Sequence, residues 1–151
     1  MADPPRDEGG RVTPHDDRQS VPDDSFVLRS IPPIHLRQNQ DGPGRYLSKA
    51  AFSPSSKQHD PYEGMSVDAG ALLVEAGIPE NERMLPGHEA LVKIRAGDLR
   101  DLGCQIGPDP KIPENLYHAE VWDVRDNRRK AVKRKAIWVI KPADVLENLA
   151  D

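Results

Sequence analysis

The sequence contains a single cysteine, Cys104, which excludes a disulfide within the chain and a cysteine-rich metal site. It has no apolar run long enough to span a bilayer, and its N-terminal residues lack the apolar segment of a signal peptide. Aromatic residues make up only 5% of the chain, which indicates a modest core. We therefore predict a soluble, cytoplasmic protein with no membrane association.

Strong catalytic signatures are also missing. His88-Glu89 opens like a zinc-protease motif, but no second histidine follows four residues later. His118-Ala119-Glu120 opens like a zinc-deaminase motif, but no Pro-Cys-x-x-Cys element follows it. A glycine-rich phosphate loop and a nucleophile elbow are absent as well. No enzyme class is therefore indicated by a motif.

The length of 151 residues predicts one domain. The first 24 residues carry seven acidic side chains against three arginines and contain no aromatic residue. Such a segment buries too little apolar surface to offset the entropy lost on ordering. We predict a disordered acidic head at 1–23, a globular domain at 24–146 and a tail at 147–151.

Four segments have the pattern of strands. Residues 26–31 are mostly apolar and stop at Pro32-Pro33, which cannot donate ladder hydrogen bonds. Residues 90–96 alternate between two sets of side chains, as in a half-buried strand. Residues 118–124 and 136–140 are the other two predicted strands.

Short helices and loops separate these strands. Asp68 is placed to cap a helix over 69–76, and a basic helix is predicted to end near Lys135. Residues 105–115 contain three prolines and are predicted to form a loop. The pattern indicates an α+β fold: a small, mostly antiparallel sheet with short helices and proline-rich loops.

Three histidines and one arginine lie at the ends of predicted strands: His35, His88, His118 and Arg29. A guanidinium binds carboxylate or phosphate with two parallel hydrogen bonds. We predict that these four residues bind a polar ligand. If the three histidines converge, their neutral imidazoles also suit zinc or iron.

A basic segment runs from Arg125 to Lys141, with eight basic residues and one acid. Its part at 125–135 is the candidate for contacting nucleic acid, because lysine and arginine neutralise phosphates. We favour a solvated helix face instead, since the whole chain carries a net charge of −4.

The chain resembles a group of small uncharacterised bacterial proteins. The resemblance covers nearly all of 26–142 and includes Arg29-x-Ile-Pro-Pro-x-His35, Gly87-His-Glu89 and Ala96-Gly-Asp98. It implies the domain limits and a bacterial source, and it implies no activity.

A more distant similarity is to NAD-using ADP-ribosyltransferases and toxins of the Arg-Glu-Ser type, because Arg29, Ser48 and Glu120 occur in that order. The resemblance implies that Arg29 holds the pyrophosphate of NAD, Ser48 orders the nicotinamide side and Glu120 stabilises the ribosyl cation. His35 and His118 would then position or exchange protons.

Three hypotheses follow. The first is a binding or interaction module that recognises a protein partner or a small polar ligand. The second is an NAD-dependent enzyme that uses Arg29, Ser48 and Glu120 as catalytic residues. The third is a metal-dependent hydrolase based on the histidines. The hypotheses differ in which of these side chains must share one cleft.

Overall fold

The computed structural model describes Arg6 and residues 12–54, 64–111 and 113–147. In chain order, the strands in this part are β1 (Phe26–Ile31), β2 (Leu36–Gln38), β3 (Arg45–Leu47), β4 (Met65–Ala69), β5 (Ala90–Arg95), β6 (Gln105–Pro108), β7 (His118–Trp122), β8 (Ile137–Ile140) and β9 (Val145–Leu146). The α-helices are α1 (Gly70–Ala76), α2 (Ala96–Asp101) and α3 (Asp126–Lys135). Short 3₁₀ turns cover Pro33–His35, Lys49–Phe52 and Glu80–Arg83. The predicted α+β fold is confirmed.

The main sheet has six strands in the order β6-β7-β4-β1-β5-β8. All neighbouring pairs in this sheet are antiparallel, as predicted. A second sheet contains β2, β3 and β9, in which β9 runs parallel to β3. In the described ranges, no helix is long and apolar enough to cross a membrane.

Both faces of the central strands are buried. Val92 and Ile94 of β5 belong to the larger core cluster, which also contains Val132 of α3. Leu91 points to the opposite face, where it packs with Leu73 of α1. The alternation in 90–96 predicted a half-buried strand, and the structure differs because α1 covers the second face.

Three local predictions were wrong. The first part of 105–115 is strand β6 at the edge of the sheet, where Pro108 is tolerated at the strand end. Strand β7 ends at Trp122, because Asp123 has a φ of 62° and cannot continue an extended backbone. Asp68 does not cap α1, whose N-terminus has no side-chain cap.

The N-terminal segment packs against β6. Val12 and Val21 are buried. The backbone N–H of Arg18 donates to the carbonyl of Ile106 at 2.9 Å, and the N–H of Ile106 donates to Asp17 Oδ1 at 2.9 Å. Residues 12–23 therefore cover a sheet edge, which differs from the disorder expected for 1–23. The rest of that predicted head, apart from Arg6, and the tail after 147 lie outside the described residues.

We predict that Asp17→Ala destabilises the domain. The change leaves the buried N–H of Ile106 without its acceptor and removes the 2.8 Å contact with Arg100 Nε. An unsatisfied buried donor costs about 1–3 kcal/mol. Urea denaturation measures the loss, and Asp24→Ala at an exposed position is the matched control. Equal stability of the two variants would contradict the packing of this segment.

Ile94→Ala tests the core face of β5. Ile94 is fully buried, so the free energy of unfolding should fall by about 2–5 kcal/mol. Ile137→Ala on β8 is the control, because Ile137 is 47% exposed and leaves a much smaller cavity. Chemical denaturation of both variants gives the comparison, and a loss for Ile94→Ala no greater than for the control would show that this face is assigned wrongly.

Candidate functional site

A cleft of about 310 Å³ lies between β1 and β4. These strands share only two paired positions, Val27 with Ala69 and Leu28 with Asp68, although each strand continues further. Side chains therefore reach the space beside the unpaired parts of both strands. The polar residues that line the cleft are Arg29, Ser30, Ser66, Asp68, Arg83, His88, Asn115 and His118.

The structure brings together three of the four predicted ligand-binding residues. Arg29, His88 and His118 line the cleft, whereas His35 does not. His35 ends the 3₁₀ turn that follows Pro32, and its Nδ1 is buried without a hydrogen-bond partner among the described residues. Its pKa is lowered by burial, by the positive charges of Arg29 and Arg37, and by His88 when that imidazole is also protonated.

The guanidinium of Arg29 is buried. Its Nη1 donates to the carbonyl of Ser66 at 2.7 Å, and its Nε donates to the carbonyl of Ala51 at 3.1 Å. Burial lowers the pKa of Arg29 to about 10, while the carboxylate of Glu120 opposes the shift. Arg29 therefore still carries a positive charge at neutral pH, within a region of low polarity.

Ser30 and His88 form a hydrogen-bonded pair on the wall of the cleft. Ser30 Oγ lies 2.8 Å from His88 Nδ1 and accepts the backbone N–H of Leu85 at 3.0 Å. Burial lowers the pKa of His88, and the charge of Arg29 adds to the effect. Ser30 was not among the predicted site residues. Its partner is 58 positions away, so only the tertiary fold identifies it.

Asp68, Arg83 and Asn115 form a closed triangle of hydrogen bonds. Arg83 Nε donates to Asp68 Oδ2 at 2.8 Å, and Asn115 Nδ2 donates to Asp68 Oδ1 at 2.7 Å. Arg83 Nη2 donates to Asn115 Oδ1 at 3.1 Å. This network fixes one rim of the cleft, and none of its three residues was predicted from the sequence as a site residue.

His118 is held between two acidic residues. Its Nδ1 lies 2.7 Å from the backbone carbonyl of Asp109, so this nitrogen carries the proton and donates it. Its Nε2 lies 3.3 Å from Glu120 Oε1. Burial lowers the pKa of His118, although the carbonyl and carboxylate of Asp109 partly oppose the shift. The imidazole is therefore neutral at pH 7.

The three candidate catalytic residues are not gathered at the cleft. Arg29 lines it, but Ser48 is 1% exposed and its Oγ accepts the N–H of Ala50 at 3.1 Å, so Ser48 caps the second 3₁₀ turn. Glu120 is buried, and its Oε2 accepts the N–H of Gly64 at 3.0 Å.

The predicted set of three histidine metal ligands does not assemble either. Among the residues that the structure describes, the group with three potential ligand atoms close together is Asp109, His118 and Glu120. These atoms lie within 4.8 Å of one another, and all three residues are buried. Of these three residues, only His118 was predicted to be a metal ligand.

The basic segment forms α3, whose buried residue Val132 faces the core. Arg128 Nη1 donates to the carbonyl of Asp123 at 3.0 Å, and Arg129 Nε donates to the carbonyl of Val124 at 3.2 Å. Two of its arginines thus stabilise the start of the helix. Contact of 125–135 with nucleic acid stays a disfavoured prediction.

Comparisons with protein-family models, with curated proteins and with solved structures find no match to this chain. The similarity to small bacterial proteins and the similarity to ADP-ribosyltransferases therefore stay predictions.

The lowered pKa values of His35, His88 and His118 predict how stability depends on pH. Between the folded-state pKa and the unfolded value near 6.5, the unfolded chain binds more protons. These histidines therefore contribute stability above about pH 6.5, and the contribution is lost as the pH falls from that value through the lower folded-state pKa.

Substituting His88 with glutamine tests this prediction. His88→Gln should lose less stability than the unchanged protein between about pH 7.5 and 5.5, by at most about 1.4 kcal/mol per pH unit. Urea denaturation across this range gives both curves. Parallel curves would mean that the pKa of His88 does not differ between the folded and unfolded states.

Proposed function

We propose that this protein is a binding module that recognises a small polar ligand in the cleft between β1 and β4. The observation that carries the proposal is the convergence of Arg29, His88 and His118 on one cleft from distant parts of the sequence. Its volume of about 310 Å³ falls at the lower end of the range for small-molecule sites, about 300–1,000 Å³. A compact metabolite-sized ligand fits this space better than a protein segment.

The lining indicates the chemistry of the ligand. Arg29 supplies a positive charge in a buried setting, which favours an anionic group such as a carboxylate or phosphate. His88 and His118 have lowered pKa values, so each is neutral at pH 7. Their Nδ1 atoms already bind Ser30 and the Asp109 carbonyl, so a ligand can contact only their Nε2 atoms. We infer a small ligand that carries one anionic group and further hydrogen-bonding groups.

The other hypotheses receive less support from these contacts. An NAD-dependent enzyme of the ADP-ribosyltransferase type requires Ser48 beside the ligand, and Ser48 instead caps a turn away from the cleft lining. A hydrolase based on three histidines requires His35, which also lies outside that lining. A protein partner would use the rim, where Leu85 is 56% exposed, but a single exposed leucine is common on protein surfaces.

Thermal denaturation with a panel of named compounds tests the proposal: inorganic phosphate, citrate, ADP-ribose and NAD. At least one should raise the melting temperature in a concentration-dependent manner, because binding to the folded state stabilises it. The gain is about 2.7 kcal/mol at a hundredfold excess over the dissociation constant. His88→Ala should weaken the binding of that compound at least tenfold.

His15→Ala is the matched control for this experiment. His15 is exposed and contacts Gln105 Oε1 at 2.9 Å, outside the cleft. The control should retain the affinity of the unchanged protein. Stabilisation that survives His88→Ala but not His15→Ala would place the binding site elsewhere, and the absence of any shift across the panel would count against a small anionic ligand.

A further inference from the structure

We propose that Asp109, His118 and Glu120 form a binding site for one divalent transition-metal ion in the wall of the cleft. The pairing of β6 with β7 places the three residues together. Asp109 directly follows β6, and its N–H donates to the carbonyl of His118 at 2.8 Å. Glu120 lies two residues after His118 on β7, so both side chains point to the same face of the sheet.

The orientation of the imidazole is that of a metal ligand. The Nδ1–H of His118 donates to the backbone carbonyl of Asp109, and Asp109 Oδ2 lies 3.6 Å from the same nitrogen. These contacts fix the tautomer and leave the lone pair on Nε2. Metal-binding histidines commonly donate their second ring N–H to a carbonyl or carboxylate in this way. The lone pair on Nε2 faces Glu120 Oε1, another atom that accepts rather than donates.

The distance between His118 Nε2 and Glu120 Oε1 allows both atoms to bind one ion. Nε2 and Oε1 are 3.3 Å apart. Two ligand atoms at about 2.1 Å from one ion and separated by this distance subtend about 104° at the ion, close to the tetrahedral value.

The donor set limits the choice of ion. One imidazole and two carboxylates combine ligands that suit zinc and iron with ligands that suit manganese. Three protein ligands also leave a coordination position open, as in catalytic rather than structural zinc sites. Of the three residues, His118 lines the cleft, so the cleft is the route by which an ion would reach the cluster.

Lys111 makes the proposal sharply testable. Its Nζ lies 2.7 Å from Asp109 Oδ2, while its side chain is 52% exposed. The ammonium neutralises a proposed ligand and repels a cation. Removing this charge should therefore strengthen metal binding, whereas a purely structural cluster of Asp109, His118 and Glu120 predicts no effect of Lys111 on any metal.

The experiment is a titration of the purified full chain with Co²⁺ and with Zn²⁺, followed by calorimetry and by the visible absorption of Co²⁺. We expect one equivalent to bind. Asp109→Asn and Glu120→Gln should each weaken binding at least tenfold, and Lys111→Met should strengthen it. Glu80→Gln is the control, because Glu80 pairs with Lys93 and lies outside the cluster and the cleft lining.

His118→Ala removes a buried side chain and could lower stability as well as metal affinity. The decisive variants are therefore Lys111→Met and the isosteric Asp109→Asn and Glu120→Gln. Thermal denaturation of each variant without metal verifies that it is folded. The proposal is overturned by the absence of saturable binding, or by binding that Asp109→Asn, Glu120→Gln and Lys111→Met all leave unchanged. Metal binding is measured without any cleft ligand, and the panel of anionic compounds is repeated in the presence of a chelator. The metal proposal and the ligand proposal can therefore fail independently.

Discussion

The burial of one guanidinium is the constraint on which the cleft depends. Arg29 lies in β1, directly after the two positions at which β1 pairs with β4. Two of its donors, Nη1 and Nε, bind the carbonyls of Ser66 on β4 and Ala51 in a 3₁₀ turn, so it joins a strand edge to a turn. Burying a charge is expensive unless hydrogen bonds and an opposite charge compensate. These carbonyls, together with the carboxylate of Glu120, supply that compensation.

Local sequence patterns predicted part of this fold well. The bounds of β1 match the structure because Pro32-Pro33 terminates a strand whatever its tertiary surroundings. Strand β6 was missed because Pro108 and Pro110 resemble loop residues. Proline is acceptable at an edge, and edge position is decided by the whole sheet. Asp68 has the local pattern of a helix cap, yet Arg83 and Asn115 bind its carboxylate instead.

The candidate site was predicted only as a set of residue types. Histidine and arginine near predicted strand ends indicated that Arg29, His88 and His118 could meet, and the three line one cleft. Their role in binding stays a prediction. The partners that determine their chemistry are distant in sequence or lie in segments without a pattern: Ser30 for His88, and Asp109 for His118. Whether a histidine is neutral, and which nitrogen carries its proton, depends on those partners rather than on its neighbours in the chain.

Ser66 connects the two parts of the proposed site. Its carbonyl accepts from Arg29 Nη1 at 2.7 Å, and its hydroxyl donates to Glu120 Oε1 at 3.3 Å. Arg29 and Glu120 thus contact the same residue, and the carboxylate of Glu120 opposes the lowering of the Arg29 pKa, so an anion beside Arg29 and a cation beside Glu120 would also interact. Opposite charges at such short range favour each other's binding, and linkage makes the effect reciprocal. A cleft that selects an anionic ligand and a cluster that holds a metal ion are therefore physically compatible, and each would raise the affinity of the other.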